Sequence, residues 1–382
     1  MTTPKPEVPR ETPAASAAQP CVRVAGAGPA GLAAAIRLRL LGRDVEVHES
    51  SDRVGSRWCG GFQVLENFSE EEDILEFLKR SGVPVGFRNR PVHRVRLWDP
   101  KGIPTDFESP VSLGYCVTRG SEPGDLDHSL WEAAKALGVN VRFGSHLPAS
   151  EADIYAGGPR RVDGIGREII FDAPLEDRMS VLLDPRLSPG GYAYFFVFDG
   201  RATLGMAIVR DFKNTNRHFE EVQRRFADLE KVEIPRAQAT NHHVNFFVQH
   251  GADSGPFFAG EAGGFQDYLF GFGMRFALES GILAAQSVAS GGSYANRRDR
   301  MLLPKQRICL FNRFAYEKAE NWIPGYFVRE AVRSGDLRKY LRSWYEPRGI
   351  KIMAARMMER FWRRGNFRKN VRSLCESPHT SN

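Results

Sequence analysis

The run Val22-Arg-Val-Ala-Gly-Ala-Gly-Pro-Ala-Gly-Leu-Ala-Ala-Ala-Ile36 carries three glycines at a spacing suited to phosphate binding. Gly26, Gly28 and Gly31 follow a short β-rich segment and open an Ala/Leu-rich helical one, in the order G-x-G-x-x-G. Each has its own duty. Gly26 permits the tight strand-to-helix turn, Gly28 lets backbone approach a pyrophosphate, and Gly31 lets the helix pack against the strand. The helix start, around Ala30, offers free N–H groups and a partial positive charge to an anion. A second apolar run, Asp44 to Glu49, ends on an acid 23 positions after Gly26, about where ribose hydroxyls are taken. Gly26, Gly28, Ala30, Gly31 and Glu49 are therefore expected to hold a dinucleotide.

A second glycine-rich constellation lies far along the chain. It reads Gly260-Glu-Ala-Gly-Gly264, then Gly271-Phe-Gly-Met274, then Ala277-Leu-Glu-Ser-Gly281 and Ala284-Ala285. In these residues the chain resembles the geranylgeranyl-reductase-like branch of the FAD-dependent oxidoreductases, which is related to flavin monooxygenases and flavin-dependent halogenases. That pattern is G-D-A-A-G, a short insert, G-x-G-[IM], then A-x-x-S-G-x-x-A-A. The resemblance implies FAD as cofactor, with Glu261 and Gly264 near its ribityl or pyrophosphate region and Gly271 and Gly273 near the flavin ring. Backbone donors at a helix N-terminus suit a reduced, anionic flavin. The chain departs from the pattern twice: Glu261 replaces Asp, and Tyr268-Leu269 stands where a proline is usual.

Three looser matches follow. Ser188-Pro-Gly-Gly-Tyr-Ala-Tyr-Phe-Phe-Val197 resembles the P-G-G-Y-x-W-x-F-P segment that lines the substrate cavity in relatives, with Tyr194 in place of Trp. Tyr192, Tyr194 and Phe196 alternate, so they share one strand face. They are read either as cavity lining or as core packing. Cys59-Gly60-Gly61 resembles a Cys-Gly turn near flavin and substrate, which makes Cys59, Tyr192 and Tyr194 the candidates for catalysis. Arg119 resembles an arginine that reaches the FAD phosphate and ribityl region in relatives. His242 and His243 are adjacent on a strand and point to opposite faces, so no metal is assigned to them.

These residues need a scaffold. With 382 residues, 42% hydrophobic and 26% charged, the chain has the size and composition of a globular protein with two domains or sub-domains. The expected fold class is α/β: a doubly wound, Rossmann-like FAD-binding domain interleaved with a mostly antiparallel β-sheet substrate domain, plus a helical C-terminal extension. Residues 1–20 read as a disordered tail without the apolar core of a signal peptide. The FAD-binding domain is assigned to 21–68, 111–172 and 250–295, the substrate domain to 69–110 and 173–249, and the extension to 296–382. A helix is expected over Ser69 to Arg80 with Ser69 as its N-cap.

The five cysteines are scattered, with no C-x-x-C. That argues against a disulfide framework or zinc site and suits the cytoplasm. No apolar run is long enough to span a membrane. From Asn296 onward the chain has 21 Lys and Arg against 8 Asp and Glu, while the rest is net acidic. No nucleic-acid-binding module accompanies this charge, so no nucleic-acid partner is expected. Within Arg348 to Arg368, Ile350, Met353, Met357, Met358 and Phe361 recur at helical spacing among arginines. Such a helix either docks its Met-rich stripe on the core or lies in an anionic membrane interface.

The resemblance implies reduction of C=C bonds in an apolar or prenyl-like substrate by hydride from reduced flavin. The alternative is an FAD-dependent monooxygenase, a hydroxylase or epoxidase, acting on an apolar or secondary-metabolite substrate. A halogenase is disfavoured because the W-x-W-x-I-P element is missing. A non-catalytic flavin-binding protein is the remaining class. No second G-x-G-x-x-G is seen, so electrons come from transiently docked NAD(P)H or an external reductant.

Overall fold

The computed structural model describes residues 20–58, 60–159, 162–246 and 255–363. The strand Val22–Ala25 passes through the Gly26 turn into helix α1 (Pro29–Leu40) and returns as the parallel strand Val45–His48. Five parallel strands form this sheet, in the order Phe257–Phe258, Ile154–Tyr155, Val22–Ala25, Val45–His48, Asn140–Arg142. The order runs both ways from Val22–Ala25. Its carboxyl end is thus the topological switch point, where open α/β sheets leave a crevice.

Short α2 (Ile74–Arg80) follows the third strand of the chain. It starts four residues later than expected, because Asp73 and not Ser69 caps it: Asp73 accepts from the N–H groups of Leu75 and Glu76, whereas the Ser69 hydroxyl donates to Glu66. Helix α3 (Leu126–Ala136) packs beside α1.

A seven-stranded sheet runs Thr240–Val244, Gly164–Asp172, Arg201–Ile208, Tyr192–Phe198, Arg178–Leu182, Arg94–Trp98, Pro104–Glu108. It is antiparallel except where Arg178–Leu182 meets Arg94–Trp98. Gly164–Asp172 is a full member, so this sheet starts before the expected 172/173 boundary. Ala193, Phe195 and Val197 bury one face against Phe219, Val222 and Phe226 of α4 (Thr215–Glu230). The alternate residues Tyr194 and Phe196 pack on the other face with Phe62 and Cys116 from a small sheet of Phe62–Glu66, Gly114–Thr118 and Asn89–Pro91.

Helix α5 (Met274–Ser290) lies so close to α1 that a Cβ on Gly281 would sit 2.1 Å from the Ala30 carbonyl oxygen. The C-terminal region continues as α6 (Tyr294–Met301), α7 (Leu303–Ala319), α8 (Ile323–Ser334), α9 (Leu337–Tyr345) and α10 (Gly349–Arg363). The breaks fall as the prolines and glycine dictate: Pro324 sits in the first turn of α8, Gly335 ends it at φ +67°, and Pro347 separates α9 from α10. These helices are wedged into the protein. Arg313 donates to the Gly190 carbonyl at 2.6 Å, and Arg338 to those of Asn67 and Glu70. Buried Lys305 lies 2.6 Å from Glu70.

The last helix differs from the docked-stripe expectation. α10 packs through Ala355 and through Glu359, which pairs with Arg307 at 2.8 Å. Ile350, Met353 and Met357 are left 80, 63 and 57% exposed. Among the described residues no helix is long and apolar enough to cross a membrane. Residues 1–19, expected as a tail, and 364–382 lie outside the described part.

Candidate active site

One cavity of about 640 Å³ runs from the Gly26 turn to the aromatic face of the seven-stranded sheet. Gly26, Gly28, Ala30, Glu49, Arg119, Tyr192, Tyr194, Glu261, Gly271 and Gly273 all line it. Residues more than two hundred positions apart thus share one wall. Gly31 and Gly264 do not line it. Gly31 packs α1 onto the turn, and the Gly264 carbonyl accepts from the Tyr268 hydroxyl and the Gln306 amide. Cys59 lies outside the described residues.

At the nucleotide end, Glu49 is held by its own surroundings. Its carboxylate accepts the Ala27 N–H at 2.8 Å and the Ser51 N–H at 2.9 Å. Helices α1 and α5 both begin on the cavity, at Gly28 and Gly273, and among the described residues neither has a side-chain cap. Their first N–H groups are free for an anion. A Cβ on Gly28 would meet no atom of the described residues within 4 Å. The open space at Gly28, two uncapped helix starts and a strand-end carboxylate together fit a dinucleotide whose pyrophosphate lies at α1.

Arg119 is committed elsewhere than expected. Its guanidinium is a fork on Asp127, at 2.7 and 2.8 Å, and lies 4.7 Å over the Trp58 ring. Glu261 bonds Arg57 at 3.0 Å, and Arg57 also reaches the His243 carbonyl. Replacing Glu261 by Ala removes a carboxylate from the cavity wall and releases Arg57. A charge-assisted hydrogen bond contributes about 1.5–3 kcal/mol, so Glu261→Ala should weaken FAD binding roughly 10- to 100-fold. Turnover should persist at excess FAD; equilibrium dialysis with FAD checks the first, and a variant with normal affinity and no turnover refutes the binding role.

The other end is apolar. Val92, Val95, Leu97, Leu113, Met179 and Val181 join Tyr192, Tyr194 and Phe196. Burial pushes both phenols above their usual range, helped by Asp267 near Tyr192 and Glu168 near Tyr194. Both stay protonated at neutral pH and act as hydrogen-bond donors: Tyr192 to the Phe270 carbonyl at 2.6 Å, Tyr194 to Glu168 at 2.8 Å. Phe327 of α8 and Leu337 and Leu341 of α9 close this end. Leu337 and Leu341 stand at i, i+4 spacing in α9, but nothing local in the sequence shows that this pair faces a cavity.

Asp267 fastens the Gly-rich loop that leads to α5. It accepts the N–H groups of Leu269 and Phe270 and the Tyr345 hydroxyl of α9. Burial raises its carboxyl to about 6 from the usual 3.8. The folded chain then holds this proton while the unfolded chain releases it, so this group's contribution to stability is present below pH 4 and lost as pH rises to 6. The shift corresponds to roughly 3 kcal/mol. Denaturant unfolding at pH 4 and pH 6.5 should show this decrement in the wild type and not in Asp267→Asn.

Sequence reasoning missed a third group. Buried Glu168 accepts from Gln63 at 3.0 Å, Tyr194 at 2.8 Å and His242 Nε2 at 3.1 Å. His242 is buried and His243 exposed, as strand alternation requires. No group of three or more His, Cys, Asp or Glu suited to a metal occurs among the described residues.

Residues 24–59 match the family of NAD(P)-binding Rossmann-like domains. No curated protein matches the sequence. Among solved structures, a geranylgeranyl bacteriochlorophyll reductase-like protein of Thermoplasma acidophilum superposes with a TM-score of 0.64 at 18% identity, covering 87% of this chain and 94% of its own. A flavin-dependent brominase follows at 0.58 and 16% identity, covering 90% of this chain and 99% of its own. The fold is that of the flavin-dependent oxidoreductases. A probable FAD-dependent monooxygenase from Pseudomonas aeruginosa shares it too, at 0.52 and 15% identity, over 85% of this chain and 98% of its own. Within this flavoprotein fold the crevice at the switch point is the cavity described above.

Proposed function

We propose that the chain is an FAD-dependent oxidoreductase that reduces C=C bonds of an apolar, prenyl-like substrate. The observation that carries this reading is the single cavity whose one end has the phosphate-binding geometry and whose other end is walled by Tyr192, Tyr194, Phe196, Phe327, Leu337 and Leu341. When bound, FAD supplies the hydride chemistry. Gly26, Gly28, Ala30 and Glu49 would hold its adenosine and pyrophosphate, and Glu261, Gly271 and Gly273 its ribityl and ring. The protein's own contribution is orientation and exclusion of water. The aromatic strand and the α8–α9 pair form a dry wall, and the Tyr192 bond to Phe270 keeps wall and loop together.

The decisive experiment separates reduction from oxygenation. The FAD-loaded protein is reduced anaerobically and mixed rapidly with oxygenated buffer while flavin absorbance is followed. A reductase reoxidises slowly in one phase. A second transient absorbing species, together with substrate-dependent oxygen consumption, supports the monooxygenase reading instead. NAD(P)H and dithionite, tested as reductants in parallel, identify the donor.

The cytoplasm with peripheral membrane contact suits this reading. Exposed Ile350, Met353 and Met357 lie on the helix that also exposes Arg356. Arginine stems around an apolar face favour an anionic interface. Full-length protein should float with liposomes containing anionic lipid, and a truncation after Tyr345 should not. If neither floats at moderate salt, the membrane contact is wrong.

A further inference from the structure

Behind Phe327 the apolar end of the cavity does not meet close-packed protein. A second void of about 20 Å³ lies there, bounded by α7, α8 and α9. Leu183, Leu269, Phe270 and Phe327 line both spaces. Leu337 and Leu341 line the large one alone, and Tyr316 and Trp344 the small one alone. The two spaces are thus neighbours across one partition.

The small void is apolar. Among the described residues its walls expose no polar surface, and the Tyr316 hydroxyl is engaged with the Gly191 carbonyl at 3.1 Å. A space of this size has room for about one water, and a water needs two or more polar partners. It finds none here, so the void suits hydrocarbon. Its outer wall includes Ile323 and Pro324 in the first turn of α8, next to Trp322, which is 81% exposed. A chain that passed the partition would head for the surface.

Phe327 is the part of the partition that can set a limit. Leu269 and Phe270 belong to the loop that Asp267 and Tyr192 fasten at the start of α5, and Leu183 follows a strand of the seven-stranded sheet. They form side walls. Phe327 comes from the C-terminal helices that close the cavity. Its ring bridges the two spaces: the Phe270 ring of the shared wall is 6.0 Å away, and the Trp344 ring of the small void 5.7 Å. A phenyl ring makes no conventional hydrogen bond, so packing and rotamer preference alone keep it there.

We propose that Phe327 limits the length of apolar chain that the cavity accepts, and that the void behind it is the next segment of the same path. The proposal rests on the reading of the substrate as apolar and prenyl-like. Each carbon taken from water favours binding until the chain reaches the ring. Further carbons must then overpack the wall or fold back. An isoprene unit has fewer carbons than the phenyl ring. Replacing Phe327 by Ala therefore frees room for one more unit and joins the two spaces.

The test uses full-length, FAD-loaded protein labelled with fluorotryptophan. Geraniol, farnesol, geranylgeraniol and geranylfarnesol are the probes. Equilibrium dialysis gives each Kd, and fluorine NMR follows Trp344, whose signal is the one missing from Trp344→Phe. Wild-type affinity should rise along the series, reach a maximum and fall. In Phe327→Ala the maximum should move to the next longer alcohol, and the ratio of the two Kd values should change at least about 10-fold. That longer alcohol should shift the Trp344 signal in the variant and not in the wild type. A large-to-small change in a packed wall costs stability; should Ala prevent folding, Phe327→Leu, which keeps apolar bulk and removes the ring, takes its place. A wild-type affinity without a maximum overturns the length limit and leaves the substrate reading standing. So does a maximum that the variant does not move, or a Trp344 signal that stays silent when it does move. Should no prenyl alcohol bind the wild type, the prenyl-like reading fails. Straight-chain alkanols in the same titration then decide on Phe327 by the same criteria, and their failure to bind overturns the length limit as well.

Discussion

Gly28→Val should fold normally and lose its flavin. The argument depends on what surrounds this residue. Gly28 sits at φ −79° and ψ −179°, extended backbone that any residue adopts, and a Cβ there meets no atom of the described residues within 4 Å. The substitution is therefore harmless to the empty chain. Its branched methyls instead fill the space at the start of α1 that a pyrophosphate needs. The free N–H groups at that helix start would be screened from the anion, and their contribution to binding lost. Affinity for FAD should fall at least 100-fold. At an FAD concentration 100 times the wild-type Kd, bound ligand stabilises the fold by about 2.7 kcal/mol. Thermal unfolding with and without added FAD should show that increment for the wild type only, with equal melting of the two apo proteins. A Gly28→Val protein that copurifies with a full flavin spectrum refutes the assignment of this end of the cavity.

The features legible in the sequence were those set by near neighbours along the chain. The Gly26–Gly31 spacing, the Asp99–Gly102 and Asp199–Gly200 hairpin turns and the proline breaks around α8 to α10 are local chemistry, and they stand where the residues place them. Strand alternation also sufficed to put Tyr192, Tyr194 and Phe196 on one face and Phe195 on the other, but not to decide between cavity lining and core packing for that face. Three things were not local. The Glu168–His242 contact spans 74 residues and exists only through a pairing register that no spacing reveals. The commitment of Arg119 to Asp127 depends on how α3 follows its strand, although an acid in that helix's first turn was a usable hint. In α10 the periodicity showed a Met-rich stripe but not its covering. The docked side is the one with Ala355 and Glu359, because a small residue and an ion pair to Arg307 fit α7 more closely than three methionine-sized chains.

The C-terminal helices carry more function than an appended basic region would. Tyr345 holds Asp267, Asp267 holds the loop before α5, and Tyr192 holds Phe270 in the same loop. The start of α5, the aromatic strand and α9 are thereby one connected unit. The apolar closure by Leu337 and Leu341 and the geometry of Gly271 and Gly273 depend on each other. A lesion in α9 should consequently disturb both ends of the cavity together.

Gly31→Ala should give the opposite result to Gly28→Val, three residues away in the same motif. Here an added Cβ would lie 1.9 Å from the Gly26 carbonyl oxygen and 3.5 Å from a Val24 methyl. The near atom is backbone, within a turn that Gly26 holds at φ +94°, and Gly26 in turn abuts the Ala156 carbonyl of the neighbouring strand's extension. Nothing there can yield cheaply, so α1 must move off its strand, and α1 is also tightly packed against α5 at Gly281. Overpacking of this kind costs about 1–3 kcal/mol, and backbone on both sides places it at the upper end. The apo protein should melt several degrees lower, and added FAD should not restore the difference. The two variants thus separate the motif's glycines by readout: one changes ligand affinity at constant apo stability, the other changes apo stability itself. Equal apo melting of Gly31→Ala and wild type would show that the helix–strand contact is looser than this geometry.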